Sequence, residues 1–124
     1  MGTPRNALKP NSRAHRRPSS SSGGRSYVVD LPASGCDLPV PDMPAGRDWS
    51  EPEQARWKEL WESPQATQWD DTAIGTVTVL VVYEQAILSG TASAWMAQES
   101  RYASDALGLT PKAMAALGWR IVDE

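Results

Sequence analysis

The sequence predicts an all-α fold: a small domain of about four helices, two of them long and central, behind a basic N-terminal arm and a Pro-rich extended strap. Three observations carry this. Ser50 and Glu53 form a Ser-x-x-Glu capping box ahead of an apolar stripe, Trp57, Leu60 and Trp61. A mostly apolar run of about 19 residues lies between two helix-bounding residues, Asp70 and Gly90. Leu107-Gly108-Leu109-Thr110-Pro111 then reads as a helix stop followed at once by a helix start.

Residues 1–26 form the arm. Pro4, Pro10 and Pro18 punctuate it, and Ser19 to Ser22 with Gly23-Gly24 has the composition of a flexible, disordered linker. Residues 27–48 form the strap, with Pro32, Pro39, Pro41 and Pro44. Tyr27-Val28-Val29 is a brief extended segment, and the rest is expected to be irregular and laid along the domain surface. Residues 49–124 form the helical domain. Its first helix ends at Ser63-Pro64, because a residue before proline is pushed out of the helical region.

The second helix begins near Asp70. Asp70 caps it, Asp71 suits the positive end of the helix dipole, and Trp69 and Ile74 are placed for a hydrophobic staple. Thr76 to Tyr83, TVTVLVVY, is β-branched enough to suggest a strand. The length between the caps decides for helix, since strands usually run about five or six residues. Ala73, Val77, Leu80, Val81 and Leu88 then share a face. Burial of such a helix outweighs a propensity cost of a few tenths of a kcal/mol per β-branched residue. The third helix is expected from about Ala92 to Leu107, with Ala92, Trp95, Met96, Tyr102, Ala103 and Ala106 on one face. The fourth runs from Pro111 to about Leu117, with Thr110 as its cap.

Composition bounds the chemistry. The 124 residues allow one domain, and six of the nine aromatics are Trp with no Phe, so the core is built on indoles. No apolar run follows the basic N-terminus, so no signal peptide is expected. The segment from Ala73 to Leu88 reads as too short and too polar for a bilayer span. Cys36, the one cysteine, excludes an intramolecular disulfide and any multi-cysteine metal site. The only histidine, His15, lies in the arm, and there is no phosphate loop. Asp70 and Asp71 do not face one another on a helix. Neither an enzyme nor a cofactor or metal is expected.

The net charge of −3 conceals a split. Arg5, Lys9, Arg13, Arg16, Arg17 and Arg25 give residues 1–26 a charge of +6, and the remainder, with all fifteen acids, carries −9. A cationic arm suits a polyanion such as nucleic acid, and it equally suits a solubilising tail or one folded onto its own acidic body. The third and fourth helices could be taken for a DNA-reading pair. The last helix, however, offers one basic side chain, Lys112, and little to read base edges. The joint is better read as a structural corner, with Trp119 against the domain or a neighbouring subunit.

Three blocks together resemble the terminase small subunits of tailed phages, most closely those of actinobacterial phages and prophages. They are LWESPQATQWDD (Leu60–Asp71), VLVVYE (Val79–Glu84) and ESRYASDALGLTPKAMAALGWRI (Glu99–Ile121). Their order and spacing match, and they cover essentially residues 49–122. The resemblance implies a non-enzymatic packaging factor in the host cytoplasm. Such a factor binds double-stranded phage DNA, assembles into a homo-oligomeric ring and brings the DNA to the large subunit, which holds the ATPase and nuclease. The DNA contact is then expected at Arg5, Lys9, Arg13, Arg16, Arg17 and Arg25. The oligomer or partner contact is expected at Trp95, Tyr102 and Trp119, and no membrane is involved. Two other readings stay open from the residues alone: an acidic protein-interaction adaptor that never touches nucleic acid, and a small DNA-binding transcriptional regulator.

Overall fold

The computed structural model describes residues 28–123, and the six cationic positions of the arm lie outside them. In chain order the elements are β1 (Val29–Pro32), α1 (Glu51–Trp61), two 3-10 turns (Pro64–Gln68 and Asp71–Ala73), α2 (Ile74–Leu88), α3 (Ala94–Ala106), α4 (Pro111–Leu117) and β2 (Trp119–Val122). The fold is mostly helical, with one small parallel sheet in which Val29 pairs with Trp119 and Pro32 with Val122.

The sheet corrects the all-α expectation. Its strands are four residues each and lie at opposite ends of the described chain. Segments that short carry no readable period, and only tertiary contact brings them together. Leu31 is fully buried and Val29 nearly so. The strap is therefore built into the domain at this point and does not simply lie on its surface. Further along, Leu38, Val40 and Met43 pack against the core from outside.

The helix ends follow local chemistry. The Ser50 hydroxyl accepts from the Glu53 N–H, and the Glu53 carboxylate accepts from the Ser50 N–H at 2.9 Å, which closes the capping box. Asp70 accepts from the Thr72 N–H at 2.9 Å. It caps the short 3-10 turn that runs directly into α2, so the helix proper begins at Ile74. Ser93 caps α3 and Thr110 caps α4.

The core is an indole stack extended by α2. Trp61, fully buried, lies 5.8 Å from Trp57 and 5.2 Å from Trp69, centroid to centroid, the latter edge-on. Val77, Leu80 and Val81 close it from α2, and Ala103 and Leu107 from α3. The Trp57 indole N–H donates to Pro41 O at 2.7 Å and the Trp69 N–H to Leu107 O at 3.0 Å. Each of these two rings thus reaches a partner for its one polar atom while burying its apolar body.

Two expectations about faces and one about the apolar segment are corrected. Leu88 is on the core side by angle but 79% exposed, the last residue of α2 and at the open groove between α1 and α2. On α3 the buried positions are Ser100 and Ala103, whereas Trp95 is 58% and Tyr102 52% exposed. Small residues let α3 approach α2 closely, and the large rings are displaced outward, so Trp95 is not the core residue its apolar neighbours suggest. Counted with its leading turn, the segment Asp71–Leu88 is 18 residues with a mean hydropathy of 1.3, enough in length and composition to cross a membrane. Only 17% of it is buried, at Val77, Leu80 and Val81 in the core, and its acid Glu84 is ion-paired to α1.

Candidate functional site

Two surfaces gather the unexplained side chains. The first is the α2–α3 side. Trp95 and Tyr102 are seven residues apart, two turns of α3, and so share one side of it. Tyr83 of α2 leans on Trp95 with centroids 5.7 Å apart. Gln98 Nε2 donates to Tyr102 Oη at 2.9 Å, and the Arg101 guanidinium lies 6.0 Å from the Tyr102 ring centre. At the end of α2, Ile87 and Leu88 are also exposed. Scattered apolar exposure is ordinary, but aromatics clustered on one face are the usual content of a protein contact.

A groove of about 530 Å³ runs beside this surface, between α1 and α2. Pro52, Ala55, Ile87 and Leu88 line its apolar part. Arg56 binds Glu84 through two nitrogens, at 2.8 and 3.1 Å, and Glu59 through the third at 2.6 Å. The Glu84 bond, ahead of the opposing desolvation, raises the Arg56 pKa above its ordinary value. The guanidinium is committed to holding α1 against α2. Sequence reasoning missed this pair. The signal was Glu84 itself, an acid within an apolar helix, which calls for a cationic partner on whatever packs over it.

The second surface is the corner at Gly108. Gly108 has φ +74°, and a Cβ there would sit 2.2 Å from the Trp119 ring. The Thr110 hydroxyl donates to Asp105 at 2.7 Å and accepts from the Ala113 N–H at 3.1 Å, which fixes the turn. Trp119 is half-buried, its ring over Gly108 and its backbone in β2. Trp95 and Tyr102 therefore stand together on α3, while Trp119 belongs to the corner. Among the described residues, no group of three His, Cys, Asp or Glu side chains is placed to hold a metal ion. What these surfaces offer chemically is contact: apolar area, aromatic faces and backbone.

A family model described as the phage terminase small subunit matches residues 7–123, nearly the whole chain. The chain belongs to that family. No curated protein and no solved structure matches it. The match includes the corner, the indole core and most of the basic arm. Membership gives the chain a role in phage DNA packaging.

Proposed function

We propose that this small subunit is a non-enzymatic packaging factor, of the type found in actinobacterial phages, that works in the host cytoplasm. It binds viral DNA, self-associates into a ring and delivers the DNA to the large subunit. The observation that carries the reading is the family match over residues 7–123. In this reading residues 1–26 are the DNA-contacting arm, 27–48 a strap that anchors it, and 49–124 the assembling domain.

The arm acts through charge. Arg5, Lys9, Arg13, Arg16, Arg17 and Arg25 neutralise phosphates without reading sequence. Six engaged cations give a log–log salt dependence of affinity with a slope of about −5. Removing residues 1–26 is expected to bring the slope close to zero. A DNA-binding titration at several salt concentrations measures it, and an unchanged slope would remove the arm from the contact. Absence of any DNA shift at low salt would favour the adaptor reading.

The α3 aromatics supply the self-contact, with Trp119 contributing only its exposed part. Replacing Trp95 and Tyr102 together by Ala is expected to leave the helical fold intact and weaken self-association by about tenfold or more. Sedimentation at micromolar concentration reads this. Unaltered assembly would move the contact to another face.

A further inference from the structure

A closed ring of copies needs two unlike patches on each subunit. Each copy gives one contact and receives another, whereas a patch that meets its own image stops at a dimer. Trp95 and Tyr102 are the giving patch, 58% and 52% exposed on α3. Trp49, Trp57 and Trp69 each tie an indole N–H to a backbone carbonyl, but the Trp95 N–H donates to no described residue. The groove between α1 and α2 is built from other helices and has the form of a receiving patch. Its α1 wall is Pro52, Ala55, Arg56 and Glu59, one side of that helix over seven residues. Trp95 and Tyr102 are also seven residues apart, so wall and aromatic pair each extend about 10.5 Å.

Size and charge match as well. The groove volume of about 530 Å³ falls within the roughly 300–1,000 Å³ of pockets that enclose small ligands, room enough for an indole. Ile87 and Leu88 supply its apolar side from α2, and both are exposed. Two carboxylates, Glu59 and Glu84, share the single guanidinium of Arg56, which leaves the groove with one negative charge in excess. Arg101, beside Tyr102, is exposed and forms no ion pair with a described residue. Glu99 flanks the aromatic pair on its core side and is half-buried, so Arg101 is the more exposed of the two charges.

We infer, on the reading of the chain as a ring-forming subunit, that this groove receives the aromatic face of a neighbouring copy. α3 of one subunit lies along α1 of the next. Trp95 seats against Pro52, Ala55 and Leu88, and Arg101 meets Glu59. The giving subunit keeps its own groove free for a third copy, so the contact has a direction and propagates until the ring closes. A single contact of two aromatic side chains is weak. Each subunit makes two such contacts, and the closing one forms within the assembly, which raises the stability of the ring above that of any one contact.

Two substitutions in the full chain separate giver from receiver. Trp95→Ala removes the indole and keeps the groove. Ala55→Arg, at an exposed position of α1, fills the groove and keeps the indole, and Arg is a good helix former. Each alone is expected to keep the helical circular dichroism and to weaken self-association by about tenfold or more in sedimentation. An equimolar mixture, at about tenfold higher concentration, is expected to form a dimer and nothing larger, because each pair retains one intact indole and one intact groove. Leu88→Ala trims the groove without filling it; it should weaken assembly in the same direction and replaces Ala55→Arg if that variant fails to fold. Two results overturn the acceptor and leave the ring reading standing: groove variants that assemble as the unsubstituted chain does, or a mixture that forms no dimer. An unsubstituted chain that stays monomeric or stops at a dimer overturns the ring reading and this contact with it.

Discussion

Trp61→Ala is expected to lower the unfolding free energy by about 3–5 kcal/mol. Trp61 is fully buried between Trp57 and Trp69, and the chain has no Phe to share the load. Truncation removes the central ring of the stack, together with aromatic pair terms of about 0.5–1.5 kcal/mol each. Neighbours cannot close the gap easily. Trp57 is tethered to Pro41 O and Trp69 to Leu107 O by their indole N–H groups. Since a small domain has only about 5–15 kcal/mol in total, this one change threatens the fold. Urea unfolding of the variant measures it as a lower midpoint at unchanged slope. A loss under about 1 kcal/mol would mean that the stack does not organise the core. Trp95→Ala is the contrast. The same residue type, 58% exposed on α3, is expected to cost far less stability when truncated.

That contrast also marks how far the fold and candidate site were legible. Local chemistry was readable where one or two residues decide the outcome. The Ser50–Glu53 box, the Thr110 cap with Pro111 and the left-handed Gly108 all stand where the sequence puts them. The helical state of TVTVLVVY was readable too, from the distance between its bounding residues. Orientation was not. The rotation of α3 is set by how closely Ser100 and Ala103 let it approach α2, a property of the pair of helices. Nor was the β1–β2 pairing readable, because two four-residue segments ninety positions apart carry no local signal of their partner and are brought together only by tertiary contact. The bond between Arg120 and Asp30 across these strands, at 2.7 Å, is of the same kind. Of the candidate contacts, Trp95 and Tyr102 share one exposed face of α3, Trp119 sits at the corner, and the arm's cations lie outside the described residues.

Gly35→Ala is expected to cost about 2–4 kcal/mol, by a different mechanism. Gly35 has φ +96°, and a Cβ there would lie 2.3 Å from the carbonyl oxygen of Glu62. The left-handed conformation alone disfavours a side chain by about 1 kcal/mol, and forced overpacking adds about 1–3. The obstacle is backbone at the end of α1, so no rotamer change relieves it. Moving it would also strain the bond of 3.0 Å that the same oxygen accepts from the Cys36 N–H. The cheaper response is for the strap to lift at residues 33–36, and Cys36, 8% exposed, reports that directly. Its thiol is expected to react faster with a disulfide reagent in Gly35→Ala than in the unsubstituted chain, because reaction requires local opening. Gly46→Ala serves as the control. Gly46 also has a positive φ, +107°, but nothing lies within 4 Å of where its Cβ would stand, so only the conformational cost of about 1 kcal/mol applies. If both variants lose the same stability and leave thiol reactivity alike, the contact with Glu62 is not what pins the strap. The salt slope of DNA binding supplies the remaining check. Gly35→Ala leaves all six arm cations in place, so the slope is expected to stay at about −5 even as the strap loosens.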